Sequence, residues 1–195
     1  MTEPKIVLAS KSPRRHELLR NMGIEFTLMV PDVEETYADD LPVRMVPAFL
    51  SSKKANAVVE YIRQDQLIIA ADTVVLLNDR IYGKPANEAE AIEMLQMLSG
   101  NMHEVITGVT IKSKEKEITF AELTRVYFRR LSNEMILHYV TKYHPYDKAG
   151  AYGIQEWFGY VAIEKVNGCF FNVMGLPTSR LVKELIPFGI DVTAS

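Results

Sequence analysis

Hydrophobic and polar positions alternate along this chain in blocks that predict an ordered series of strands and helices. Lys5 to Ala9 is a short apolar run with a β-branched pair, the pattern of a buried strand. Between Pro13 and Gly23 the apolar positions Leu18, Leu19 and Met22 fall on one helical stripe, and Glu17 stands in the early turns, where the helix dipole favours an acid. Glu25 to Val30 predicts a second strand. Pro31 to Leu41 carries Asp32, Glu34, Glu35, Asp39 and Asp40 without periodicity and reads as a loop. A longer helical pattern runs from about Pro47 to Ile62, with Pro47 in its first turn, Phe49, Leu50, Ala57 and Val58 as core contacts, and Lys53 and Lys54 between them. Leu67 to Leu77 is too continuously apolar for a half-exposed strand and predicts a central one covered on both faces.

Further along, Asn87 and Glu90 make a capping-box start for a helix through Leu98 that Gly100 closes. His103 to Lys112 and Ile118 to Phe128 predict paired strands around the charged turn Ser113-Lys114-Glu115-Lys116. Asn133 to Lys142 is helical, Tyr160 to Val166 and Phe170 to Val173 suggest a hairpin about Asn167-Gly168, and Pro177 starts a terminal helix. With no internal repeat, low-complexity tract or linker, the mixed order predicts an α/β fold with a mixed sheet.

Composition narrows the function classes. A chain of 195 residues, 48% apolar, buries a real core as one domain, with room for two lobes. A net charge of −3 argues against a coat for nucleic-acid polymers and against a polybasic membrane binder, so local basic residues serve a local anion. Cys169 is the single cysteine, which excludes an intrachain disulfide and fits a reducing compartment. The opening Met1-Thr2-Glu3-Pro4-Lys5 lacks a signal-peptide pattern and no apolar run has membrane-spanning length, so the expected location is the cytoplasm.

Two places stand out chemically. Leu8 to Arg15 leaves a strand and opens a helix: Ser12 can cap it, Pro13 sets the first φ, and Arg14 and Arg15 add guanidinium forks to the positive helix end. An anion suits that position, although a well-capped helix with solvated arginines has the same pattern. Asp72 puts a carboxylate in the middle of an apolar strand, which costs several kcal/mol unless it is paired or bound to a cation. Glu35 can join it around a divalent cation, and Lys84, in Gly83-Lys84-Pro85, can reach a phosphate; the structural alternative is a buried pair of Asp72 with Lys84 or an arginine. Asp147 to Gln155 packs glycines and alanines so that a backbone can approach a flat ligand, and the Gln155 amide offers a base edge both donor and acceptor; the same run also suits a tight turn. Cys169 and the nine methionines read as packing, and His16, His103, His138 and His144 lack metal-ligand spacing.

Ser10-Lys11-Ser12-Pro13-Arg14-Arg15, Ala71-Asp72-Thr73-Val74-Val75, Gly83-Lys84-Pro85, Thr107-Gly108-Val109, Asp147 to Gln155 and Gly175-Leu176-Pro177 occur in one order. Together they closely resemble the Maf family of nucleoside triphosphate pyrophosphatases, from Leu8 to about Leu185. The resemblance implies a two-lobed α/β fold with a mixed sheet, flanking helices and a deep nucleotide cleft, similar to the inosine triphosphate pyrophosphatases. It implies release of a nucleoside monophosphate and pyrophosphate, with Mg²⁺ or Mn²⁺ as cofactor. By motif, Asp72 matches the proposed catalytic acidic residue, Ser12, Arg14, Arg15, Lys54 and Lys84 match phosphate-contacting positions, and Glu35, with Asp72, matches an acidic position near the metal. Arg14, Thr73 and Gln155 look like the branch acting on dTTP and UTP, including modified pyrimidine triphosphates. A homodimer is left open. One departure is Glu156-Trp157-Phe158, where many members have smaller residues; packing, pocket shape or a dimer contact can differ there. The rival expectation is a nucleotide-sensing regulator of cell division or septum formation without turnover.

Overall fold

Seven strands form one mixed sheet in the order β2-β1-β3-β5-β6-β7, with β4 paired to β3, in a computed structural model that describes residues 4–192. The chain divides into two units. The first holds the residues through Asp72, Thr107–Glu122 and those from Gly175 on; the second holds Thr73–Ile106 and Leu123–Met174.

In the first unit, β1 (Lys5–Ala9) lies between β2 (Phe26–Leu28) and the first half of β3 (Gln66–Leu77), both parallel to it. Helix α1 (Pro13–Asn21) connects β1 to β2, and α2 (Val46–Val58) lies on the path to β3. Parallel strands need such crossovers, and β1 and the first half of β3 are buried beyond their first residues, whereas β2 at the sheet edge is half-buried to exposed. Val7, Ala9, Ile68 and Ala70 turn one face toward Ala55 and Val58 of α2 and toward Ile62. The second predicted strand shrinks to Phe26–Leu28, and Glu17 falls beyond the first turn of α1, which contains no acid. Phe49, expected in the core, is 44% exposed, and Ala57 is half-buried. The buried stripe of α2 is instead Leu50, Ser51, Lys54, Ala55 and Val58, the i, i+4 spacing that keeps one face toward the sheet.

Gly108, on β5 (Met102–Lys112), explains how closely α2 approaches: a Cβ there would overlap the backbone at Pro47 and Ala48. The first unit also contains α7 (Thr178–Leu185), whose Arg180 stacks over Phe120 of β6 (Glu117–Phe128) and meets Glu122.

The second unit contains β4 (Arg80–Tyr82), α3 (Glu88–Leu98), α4 (Asn133–Tyr143), α5 (Trp157–Ala162), β7 (Ile163–Asn167) and α6 (Phe170–Met174). Asn87 caps α3 as expected, its Oδ1 accepting the Glu90 N–H, but the Glu90 carboxylate accepts from Ala86 N–H. The expected hairpin about Asn167-Gly168 does not form. Tyr160 to Ala162 is helical, β7 pairs antiparallel with β6, and Phe170 to Val173 is helical. Tertiary contacts override β propensity here: Asn172 Nδ2 donates to Val105 O and to Thr124 Oγ1, while Thr124 Oγ1 donates to Cys169 O. Phe128, Tyr152, Phe158, Tyr139 and His103 form an aromatic core with neighbouring centroids 4.6–5.8 Å apart. The methionines are not all core filler, since Met45, Met97 and Met102 are exposed.

Candidate active site

The connections from β1 diverge at its carboxyl end, toward β2 on one side while β3 lies on the other. In open α/β sheets such a switch point is where ligands bind, because the loops part there. Ala9 is the last residue of β1 and pairs with Ala70, so Asp72 lies two residues past the end of β1, where the Ser10–Ser12 loop begins. Asp72 continues the parity of Ile68 and Ala70, the face that α2 covers.

Its burial is matched by charge. Asp72 is 7% exposed and Lys54, on the inner stripe of α2, is 8% exposed. The Lys54 ammonium donates to Asp72 Oδ1 at 2.6 Å and stands 2.7 Å from Glu35 Oε1, so two carboxylates converge on one cation. A buried ion pair survives only with such satisfaction of its charges. The loop that brings Glu35 is tied to α2 by Lys53 Nζ, which donates to Thr36 O at 3.0 Å and to its Oγ1 at 3.1 Å. Asp72 therefore has a cationic partner in Lys54, a pairing not considered from sequence, and its charge also acts on the Arg15 guanidinium.

Ser12 occupies the N-cap of α1, but its hydroxyl does not cap the helix. Its N–H donates to the Ser10 hydroxyl at 3.2 Å, and Arg15 Nη1 donates to the same oxygen at 3.2 Å. Arg15 Nε donates to Gly175 O at 2.7 Å, and His16 Nε2 meets Ser10 O at 2.9 Å. Arg15 thus turns inward, 9% exposed, and pins the Ser10–Ser12 loop to Gly175, while Ser12 and Arg14 are half-buried. Burial lowers the Arg15 guanidinium to about 10, the Asp72 carboxylate pulls the other way, and the group stays charged at neutral pH.

In the second unit, Thr73 is half-buried, and Lys84 is exposed between Gly83 and the buried Pro85. The Gly150 N–H donates to Gly83 O at 3.0 Å, which stitches the Lys84 loop to the segment from Asp147 to Gln155. Gly150 has φ +68°, and a Cβ there would stand 3.0 Å from Val75 Cγ2, so both conformation and space call for glycine. Gln155 sits in a turn that the Glu156 N–H closes onto Gly153 O at 3.3 Å, and among the described residues no donor reaches its buried Oε1 atom. An unsatisfied buried polar atom is unusual enough to call for a ligand or function.

The family described as Maf-like protein matches residues 5–188. The chain belongs to the Maf family. A protein of Parabacteroides distasonis named dTTP/UTP pyrophosphatase is 47% identical over 94% of this chain and 96% of its own length. Proteins with the same name from Cytophaga hutchinsonii and Bacillus cereus are 51% identical over 92% of this chain and 82% of that one, and 49% identical over 97% and 98%. The solved Staphylococcus aureus Ham1 protein overlaps more loosely, with a TM-score of 0.47 and 15% identity over 64% of this chain and 71% of that one.

Within this Maf-family chain the structure gathers Asp72, Glu35 and Lys54, with the Arg15 charge in electrostatic reach of both carboxylates. Thr73, Lys84 and Gln155 belong to the second unit. Among the described residues no three His, Cys, Asp or Glu side chains gather to hold a metal ion. The sequence reading left Ser10, His103, Tyr139 and Glu156 without roles. The Lys54 contact had a signal in its i, i+4 spacing to Leu50 and Val58, whereas the tie of Arg15 to Gly175 and the contact of Tyr139 with Glu156 join residues far apart in the chain and had none.

Proposed function

We propose that this chain is a nucleoside triphosphate pyrophosphatase that hydrolyses dTTP and UTP to the nucleoside monophosphate and pyrophosphate. The observation that carries the reading is the buried Asp72 carboxylate at the switch point, sharing the Lys54 ammonium with Glu35. Family membership and the relatives named dTTP/UTP pyrophosphatase support the substrate.

Ser12 and Arg14 meet the phosphates at the α1 N-terminus, where helix N–H groups and a guanidinium favour negative charge. Arg15 adds its charge from behind and keeps the loop in place. Lys54 and Lys84 offer ammonium groups to the triphosphate, so charge building on the departing pyrophosphate meets cations already in position. Asp72 orients the attacking water and takes its proton, and the products require attack at the α-phosphorus. The two hard carboxylates fit Mg²⁺, which commonly takes one or two carboxylates together with substrate phosphates, and Mn²⁺ is the substitute. Asp72 and Glu35 would hold it, and when bound it neutralises phosphate charge and polarises the reacting phosphoryl group. Arg14, Thr73 and Gln155 set base choice, with the Gln155 amide, whose Oε1 has no hydrogen-bond partner among the described residues, reading the edge of uracil or thymine.

The test is phosphate release coupled to inorganic pyrophosphatase, over dTTP, UTP, CTP, ATP and GTP with Mg²⁺. Expected is a preference of roughly ten- to a hundred-fold for dTTP and UTP over the purine nucleotides and CTP, because a mismatched edge leaves a buried polar group unpaired. Preference for GTP would move the chain to another branch, and no turnover on any nucleotide would remove the enzyme reading.

A further inference from the structure

The turn that presents Gln155 rests on a single carboxylate. Glu156 Oε2 accepts from the Tyr139 hydroxyl at 3.2 Å, and the same hydroxyl oxygen accepts the Gly153 N–H at 3.1 Å, so one phenol joins both ends of the turn 153–156. Glu156 Oε1 stands 3.2 Å from the buried Lys148 ammonium, which also pairs with Asp147 at 2.8 Å and so ties the start of the loop to its end. Two glycines let the segment close. A Cβ on Gly153 would stand 2.7 Å from the Glu156 carboxyl carbon, and one on Gly159 would overlap the Ile154 carbonyl oxygen. Tyr139 is fully buried, stacks against Trp157 and packs at a tilt against Phe158, the two residues that follow Glu156. Burial, then the Glu156 charge, push its hydroxyl well above the usual tyrosine range, so it remains a donor.

An amide can discriminate between base edges only if its orientation is fixed before the ligand arrives. Here the residue next to it carries the fixing contacts. We propose that Glu156 is a specificity-positioning residue, which with Tyr139 and Lys148 locks the turn so that the Gln155 amide is held ready for a uracil or thymine edge. The proposal rests on the reading of Gln155 as the base contact. It also gives the Glu156-Trp157-Phe158 departure a purpose: the acid fixes the turn, and the two aromatic residues pack the phenol that holds it.

The experiment measures kcat and KM for UTP and GTP, with melting temperatures, in Gln155→Ala, Glu156→Ala, Glu156→Gln, Gly153→Ala and Tyr139→Phe. Glu156→Ala is expected to raise KM for UTP about tenfold, with a much smaller change in kcat, and to narrow the UTP to GTP ratio of kcat/KM about as much. Glu156→Gln keeps an acceptor for Tyr139 and should recover most of the ratio. Gly153→Ala leaves the acid present but displaces it, and should shift the ratio as Glu156→Ala does. Added to Gln155→Ala, the Glu156→Ala change should lower kcat/KM by less than about twofold further, since both act through one amide.

A purely structural Glu156 would lower the melting temperature and leave the ratio untouched, or would multiply the Gln155→Ala defect; either result overturns the proposal. If Gln155→Ala keeps wild-type preference, the base-edge reading falls and this proposal with it. If Gln155→Ala loses preference and the Glu156 variants keep it, this proposal alone falls. Should Glu156→Ala fail to fold, Tyr139→Phe reads the same ratio, expected to narrow and overturning the proposal if unchanged.

Discussion

Lys54 shows why a residue's identity is not enough to assign its work. On the solvent side of α2 it would be one more solvated lysine; on the inner stripe it compensates a buried carboxylate and brings a second one, Glu35, to the same point. Asp72→Asn keeps the shape and removes the charge proposed to act on water, so turnover should fall by roughly 10²-fold or more while the melting curve stays cooperative. Near-normal turnover in the folded variant would exclude the role. His103 makes a separate prediction. Burial holds it at about 3, well below its ordinary 6.5, with Nε2 on the Tyr152 hydroxyl at 2.8 Å. Between those values the unfolded chain binds more protons than the folded one, so stability is lost as pH falls through that window, by at most about 1.4 kcal/mol per pH unit. Melting temperatures followed from about pH 7 to about pH 4.5 should show a flatter acid limb in His103→Phe than in wild type. Equal slopes would assign the acid sensitivity to other groups.

At the scale of elements, α2 depends on a residue that it does not contain. Gly108 on β5 leaves room for the Pro47–Ala48 backbone, so Gly108→Ala must push the start of the helix away and disturb Lys54. A loss of about 1–3 kcal/mol in stability is expected, together with lower kcat, read by denaturant midpoint and by turnover. Unchanged values for both would mean that the backbone yields without moving the site. For α3 the Asn87 side chain caps the helix onto Glu90 N–H, and Asn87→Ala should destabilise by about 1 kcal/mol with turnover intact. The capping residues of α3 were readable because the contact lies within four residues. The helix Phe170–Met174 was not, since Asn172 reaches Val105 and Thr124, far away in sequence.

For the whole molecule, the net charge of −3 leaves binding to a small polyanion to local groups, and among the described residues no helix is long and apolar enough to cross a membrane. The family match covers residues 5–188, and a nucleotide that binds the folded chain should stabilise it against unfolding. With Mg²⁺ present, an uncleavable dTTP analogue at about a hundred times its Kd should add about 2.7 kcal/mol of stability. EDTA should remove most of that shift and abolish hydrolysis, and excess Mg²⁺ should restore both. A shift indifferent to EDTA would show that the protein binds the analogue without a divalent cation.

Periodicity and motif order determined the strands β1, β3, β5 and β6, the helices α1 to α4, and the placing of Asp72 within β3, Arg14 in the first turn of α1, and Lys84 and Gln155 in connecting segments, because those signals are carried by neighbouring residues. Tertiary structure alone decided which cation meets Asp72, that Arg15 turns inward to Gly175, and that the expected hairpin becomes two helices flanking a strand. It also decided that Glu156 underpins the Gln155 turn. The physical reason is common to all four: each outcome depends on a hydrogen bond, ion pair or backbone approach between residues distant in sequence, and burial makes satisfying those groups outweigh local propensity.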